Sequence, residues 1–298
     1  MTTATTTFPQ RLSAFAADIK LSHTVFAMPF ALLATVLAAR SQHAWPAVGQ
    51  LLLIVGCMVF ARSFAMGMNR LLDAKLDATN PRTARRAIPS GTLSTRFVLA
   101  TVALCAIGFI ATTAGFLVYR NLLPLALSIP ALTFVGAYPL LKRFTRLCHY
   151  YLGAALGLAP ICAWIAIAGR VDWTPVLLGL AVTCWTAGFD VIYACQDYES
   201  DRATGIFSIP AKLGIGRALW VARGTHVVCV TLLIAAGLVN HDLHALWYAG
   251  VAITVALLVY EHSLVKPSDL SKVNLAFFTL NGIISIVLGT LGIVDAFL

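Results

Sequence analysis

Runs of about 20 apolar residues recur along the whole chain, separated by short polar stretches. Nine can be placed, near residues 21–40, 47–68, 97–118, 121–141, 149–169, 173–195, 218–239, 243–262 and 273–295. Within each run the apolar residues are continuous rather than alternating, which argues against a β-barrel. A segment in lipid must satisfy its backbone polar groups internally, so each run is expected to be a helix. Pro29, Pro124, Pro130 and Pro160 lie inside runs and are tolerable where neighbouring helices re-satisfy the freed carbonyls. The stretches Gly153 to Gly157 and Gly282 to Gly289 suit close helix approach. The first run follows Arg11 and Lys20, but its length and the eight runs after it mark a retained helix rather than a cleaved signal. The longest polar segment, Asn69 to Arg96, is too short for a soluble domain. The expectation is one all-α domain over 1–298: a polytopic membrane bundle of nine transmembrane helices, with residues 1–10 a disordered, Thr-rich tail.

Composition strengthens this reading. The chain is 59% hydrophobic and 11% charged, with a mean hydropathy of +0.85, against about 25% charged in soluble domains. A water-soluble enzyme is excluded. Charge also gives sidedness. Of 21 Lys and Arg, Arg40, Arg120 and Arg170 fall on one side and Arg62 inside the second run, leaving 17 on the N-terminal side. By the positive-inside rule the N-terminus and the loops on its side are cytoplasmic, and a bacterial inner membrane is expected. The net charge of +9 is then the attraction of a basic face to anionic lipid, and no nucleic acid is needed to explain it. The seven cysteines form no CxxC pair and the histidines no HExxH, so packed free thiols and no zinc site are expected.

The 12 acids are few, and six fall in two short windows. In the first, Asn69, Asp73 and Asp77 recur every fourth residue, so they fan over about 80° of one helix face. Arg62 lies on that same face, deeper in the run. In the second, Asp190, Tyr193, Asp197 and Asp201 again share one face if the helix is continuous, while Glu199 points away and Asp18 stands apart from both windows. Both windows end runs that travel outward to inward, the second and the sixth. Each is followed by a similar segment, Ala87-Ile-Pro89 and Ser208-Ile-Pro210. This pattern suggests two four-helix pseudo-repeats plus one helix, with the acidic faces meeting around a central cavity open to the cytoplasmic side.

Asp and Asn oxygens are hard ligands suited to Mg²⁺, which takes a few carboxylates plus substrate phosphates. Gathering several carboxylates without a cation would cost several kcal/mol. Arg62, Arg82, Lys142 and Arg143 show no obvious acidic partners and suit a phosphate-rich anion over the metal. The parts describe a diphosphate on Mg²⁺ at the mouth of an apolar cavity, with a greasy tail. A transporter would carry its acids near the bilayer midplane rather than at helix ends. A CDP-alcohol phosphotransferase would need Gly after its Asp, and neither Asp73 nor Asp77 is followed by one.

Asn69-x3-Asp73-x3-Asp77 and Asp190-x2-Tyr193-x3-Asp197-x3-Asp201 resemble the paired signature motifs of the UbiA superfamily of intramembrane aromatic prenyltransferases. Asn80-Pro-Arg82-Thr-x2-Arg86-x-Ile-Pro89-x-Gly91 and Tyr138-Pro139-x2-Lys142-Arg143-x-Thr145 resemble the family's intervening segments. Nearly the whole chain is covered, with greatest similarity to the 4-hydroxybenzoate polyprenyltransferase group. The stretch from Gly188 to Gly214 also resembles a branch that prenylates a dihydroxynaphthoate in futalosine-route menaquinone synthesis. The resemblance implies Mg²⁺ held by Asn69, Asp73, Asp77, Asp197 and Asp201, and a polyprenyl diphosphate held by Arg62, Arg82, Lys142 and Arg143. It also places Tyr138 at the substrate. Asp190 would orient the acceptor or accept a proton, and Tyr193 would face the allylic cation. Arg143 or Arg146 would meet the carboxylate of an aromatic acid acceptor.

Overall fold

The computed structural model describes residues 7–20 and 26–298. Among the described residues the elements are helical, with one isolated β-bridge between Lys266 and Asp269. The helices are α1 (Phe8–Asp18), α2 (Met28–Arg40), α3 (Val48–Thr79), α4 (Thr95–Ala114), α5 (Leu123–Ala126), α6 (Ser128–Leu141), α7 (Cys148–Ala168) and α8 (Trp173–Ala194). They continue with α9 (Tyr198–Thr204), α10 (Ile209–Leu213), α11 (Ile215–Val239), α12 (Ala245–Leu264) and α13 (Asn281–Asp295), the last entered through a π-helical turn, Leu275–Leu280.

Seven of these helical segments are long and apolar enough to cross a membrane. The expected nine includes two more, from the runs near 21–40 and 121–141, whose helices have only 13 and 14 residues. Residues 21–25 of the first run lie outside the described residues. The α2 helix begins at Met28 with Pro29 in its first turn, where a missing N–H costs nothing. It is short yet almost entirely enclosed, packing on α7 and α13. In the other run, Pro124 and Pro130 punctuate the chain, giving the single turn α5 before α6. The tail expected over 1–10 is corrected in part. Residues 1–6 lie outside the described residues, but Phe8 to Gln10 open α1, with Gln10 Oε1 accepting the Thr7 N–H at 2.8 Å.

The core joins the two halves. Phe30, Leu33 and Leu37 of α2 pack with Trp164 of α7, Leu178 and Trp185 of α8, Trp247 of α12 and Leu288 of α13. Outside, Leu104, Ile107, Val227 and Val259 are exposed, as lipid-facing side chains should be. The tightest seam is α7 on α8. A Cβ at Gly153 would meet the Thr183 carbonyl oxygen, and one at Gly157 would meet the Gly179 carbonyl oxygen. Small residues let these backbones touch, as the glycine spacing suggested. Gly289 likewise lies against Pro29, whereas Gly282 has only an ordinary contact with Phe26.

Two features position the acids. The α3 helix has 32 residues, about 48 Å at 1.5 Å per residue. That exceeds the roughly 30 Å hydrocarbon thickness, so its last turns can carry polar side chains beyond the apolar span. The second window is not one continuous helix, as its spacing suggested. The chain tightens into a 3₁₀ turn at Cys195–Asp197 between α8 and α9, which moves Asp197 off the α-helical stripe set by Asp190.

Candidate active site

Between α2, α3, α6, α7 and α8 lies a cavity of about 380 Å³. Most of its wall is apolar, including Phe109, Phe116, Leu132, Leu156 and Cys162. Charge enters the wall at Lys20, Arg62, Arg70, Arg86 and Asp190, with Asn69, Tyr138 and Tyr193 beside them.

The first acidic window is held by bases. Asp73 is fully buried, and its Oδ2 accepts Lys142 Nζ at 2.6 Å and Asn69 Nδ2 at 2.7 Å. Arg143 lies 3.5 Å from Asp73 Oδ1 and donates to the Leu72 carbonyl at 2.5 Å. Arg86 Nη1 donates to both Asp77 oxygens at 2.8 Å. In the second window Arg82 grips Asp197 with two bonds, Nε to Oδ1 at 2.8 Å and Nη2 to Oδ2 at 2.5 Å. Its Nη1 donates to the Tyr193 hydroxyl at 2.9 Å, and Asn80 Nδ2 reaches Asp197 Oδ1 at 2.9 Å. Burial alone would lower the Arg82 pKa, but the hydrogen bond and charge of Asp197 hold it above its ordinary value. The loop after α3 is thus bonded directly to the turn after α8.

This corrects one expectation. Arg82, Lys142 and Arg143 do have acidic partners, and these cations neutralise the carboxylates that the sequence argument supposed would need a metal. Among the described residues no three Asp, Glu, His or Cys side chains converge into a metal cage. The donor set nonetheless fits Mg²⁺, which takes one or two carboxylates and completes its shell with water and phosphate. Arg62 is different. Its Nη2 reaches the Lys20 carbonyl at 3.5 Å and its buried Nε has no partner among the described residues. Burial, then the charges of Arg70, Arg86 and Arg82, hold the Lys20 ammonium below its ordinary value.

Asp18, set apart in the sequence argument, belongs to this assembly. Its carboxylate accepts Arg70 Nε at 2.9 Å and the Ala87 N–H at 3.0 Å, and Arg70 Nη1 donates to Asn69 Oδ1 at 2.6 Å. Asn69 is thereby fixed with its amide turned to Asp73. Asp18→Ala is expected to lower the activity of this site about tenfold by releasing Arg70, a loss comparable to that of one charge-assisted bond. Steady-state rates in membranes check this, and an unchanged rate would detach Asp18 from the site.

Asp190 lines the cavity, with its Oδ2 2.7 Å from His149 Nδ1. The Tyr193 ring lies tilted at 36° against Phe277, on the π-helical turn, with centroids 4.1 Å apart. Tyr138 lines the wall and its hydroxyl points to Met66 Sδ at 3.6 Å. Asp201, on α9, does not line the cavity, and its backbone carbonyl closes the turn to Ile206 at 2.9 Å. Arg146 is exposed and Arg143 points at Asp73, so neither lines the cavity where an acceptor would lie. Sequence reasoning did not select Arg86, Lys20, Arg70 or His149. Arg86 had a signal, since it sits inside the loop segment after the first window. His149 had none, being 41 residues from Asp190.

A family model described as the UbiA prenyltransferase family matches residues 27–283. The chain belongs to that family. UbiA membership, with the membrane-crossing helices, makes it an integral, multi-pass membrane protein and an aromatic prenyltransferase. The 4-hydroxybenzoate octaprenyltransferase of Alkalilimnicola ehrlichii is 33% identical over 216 residues, 72% of this chain and 70% of the relative. That of Photobacterium profundum is 30% identical over 79% of this chain and 80% of its own length. A UbiA homologue from Aeropyrum pernix K1 superposes with a TM-score of 0.82 at 30% identity, covering 93% of this chain and 99% of the other. A UbiA homologue from Archaeoglobus fulgidus bound to DMAPP and Mg²⁺ shares the fold, with a TM-score of 0.70 at 19% identity over 95% and 99% of the chains.

Proposed function

We propose that this UbiA protein transfers a polyprenyl group from its diphosphate to a ring carbon of an aromatic acid, with 4-hydroxybenzoate as the favoured acceptor and quinone synthesis as the context. The observation that carries this reading is that Asn69 and Asp190, one from each acidic window, line one apolar cavity, while Asn80 and Arg82 tie the segment after the first window to Asp197 of the second. An ionic head and a long hydrocarbon tail are the two ligand parts that such a cavity accepts. The relatives named for 4-hydroxybenzoate, and the homologue bound to DMAPP and Mg²⁺, support the acceptor and donor classes.

In this reading Asn69, Asp73, Asp77, Asp197 and Asp201 hold Mg²⁺ directly or through water, and when bound it supplies positive charge against the leaving diphosphate. Lys142, Arg143 and Arg82 turn from their carboxylates to the phosphate oxygens, and Arg62 meets them from below. The apolar wall keeps water from the allylic cation, and the Tyr193 ring face steadies it. The ring then attacks ortho to its hydroxyl, and Asp190 receives the proton. Met28–Arg40 and Ser128–Leu141 complete nine crossings as two four-helix repeats plus one. The N-terminus and the cavity mouth face the cytoplasm at a bacterial inner membrane.

Transfer from geranyl diphosphate to 4-hydroxybenzoate in purified membranes, read by product mass, tests the reading. Chelating divalent metal is expected to abolish transfer and added Mg²⁺ to restore it. No product with 4-hydroxybenzoate or any other aromatic acid would overturn the function, and transfer persisting in excess chelator would overturn the metal's part. A second reading, with a dihydroxynaphthoate as acceptor, is favoured by the stretch from Gly188 to Gly214. The mass of the prenylated product in cells with and without the protein separates the two.

A further inference from the structure

His149 is 3% exposed, one residue into α7. It touches two groups that differ in what they can do. The backbone N–H of Ile209 lies 3.2 Å from His149 Nε2. A backbone amide can only donate, so Nε2 is the bare nitrogen and the ring proton sits on Nδ1. That proton points along the 2.7 Å contact to Asp190 Oδ2. The ring is therefore satisfied as a neutral imidazole, and Asp190 accepts as a carboxylate. Ile209 opens α10, where the first amides have no intrahelical partner, so the imidazole also caps that short helix. Around it the backbone is clamped. Phe207 N–H donates to the Lys142 carbonyl at 2.7 Å, and Cys148 Sγ lies 3.5 Å from the Phe207 carbonyl.

Asp190 is thus held through one oxygen only. Its Oδ1 makes no hydrogen bond among the described residues, and the residue lines the cavity. We propose that His149 is a positioning residue for Asp190: a neutral imidazole, oriented by the Ile209 amide, locks the carboxylate so that Oδ1 is presented to the aromatic acceptor. This rests on the prenyl-transfer reading. The allylic C–O electrons leave with the diphosphate, the new C–C bond takes a ring electron pair, and the ring proton passes to Oδ1. A rotating carboxylate would do this poorly, because a catalytic base must lie within hydrogen-bond reach of the proton it takes.

The test is a set of variants assayed in membranes with geranyl diphosphate, Mg²⁺ and 4-hydroxybenzoate. His149→Leu keeps bulk but removes both bonds, and is expected to lower kcat about 100-fold with KM for the donor within about twofold. His149→Gln offers one donor and one acceptor, and is expected to restore kcat to within about threefold of wild type. In an Asp190→Asn background His149→Leu should cost no more than about twofold, since a residue acting through Asp190 has nothing left to position. Protein amounts and thermal melting in detergent guard against misfolding. Additive losses in the double variant, or a Gln variant as slow as the Leu variant, overturn the role of His149 while leaving prenyl transfer standing. An inactive wild type with every aromatic acid overturns the transfer reading and this inference with it.

Discussion

Replacing Asp73 or Asp197 by Ala is expected to lower prenyl transfer by on the order of 1000-fold. Asp73 stands on α3 and Asp197 in the turn after α8, and each gathers polar partners from distant parts of the chain. Asp73 collects Lys142, Arg143 and the Asn69 amide, and Asp197 collects Arg82 and Asn80. Under the proposed function, losing either carboxylate would remove a hard oxygen donor for Mg²⁺ and would also free the bases proposed to meet the diphosphate. The chemical step needs these groups pre-aimed, so the loss should fall on kcat more than on KM. Part of each pair is exposed to solvent, so the effect on stability is smaller than for a fully buried pair. Asp172→Asn, which breaks the exposed pair with Arg170, is the matched control and should leave the rate within about twofold. Initial rates at equal protein amounts decide the matter, and a tenth of wild-type activity surviving in either Ala variant would remove that residue from the site.

Gly157→Val should have the largest effect on folding, about 3 kcal/mol or more. A Cβ at Gly157 would sit 2.4 Å from the Gly179 carbonyl oxygen, and a Cβ at Gly179 would sit 2.7 Å from the Gly157 carbonyl oxygen. Backbone cannot rotate away as a side chain can, so the helices must separate. The α7 and α8 helices carry His149 and Asp190, so separation also parts that hydrogen bond. The expected outcome is a lower melting temperature in detergent and loss of transfer in the protein that remains. Gly224→Val is a suitable comparison, because a Cβ at Gly224 meets nothing within 4 Å. Equal melting of the two variants would rule out the close α7–α8 contact.

Much of this arrangement was legible in the residues because it follows from spacing within one helix. Asn69, Asp73 and Asp77 share a face because α3 runs unbroken through Thr79, and the glycines of α7 announced their seam. The second window was less legible. Helical spacing places Asp197 with Asp190 only while the turn stays α, and the chain instead turns 3₁₀ at Cys195–Asp197, where Asn80 and Arg82 bond to Asp197. The ion pairs were hidden for the same reason. Lys142 meets Asp73 across 69 residues and Arg82 meets Asp197 across 115, distances over which periodicity says nothing. Asp18 looked isolated because its partner, Arg70, is 52 residues away. Helix length was overestimated at α2 and α6, where hydropathy counts apolar residues but proline position decides where a helix begins.

The glycine contacts also divide the bundle mechanically. At the α7–α8 seam glycine meets carbonyl oxygen, whereas Gly108 of α4 faces the Phe60 ring and Gly136 of α6 faces the Phe64 ring, both from α3. A phenyl ring can change rotamer and a peptide carbonyl cannot. The wall bearing His149 and Asp190 is therefore the stiff one, and the compliance of the bundle resides on the side of α3, α4 and α6.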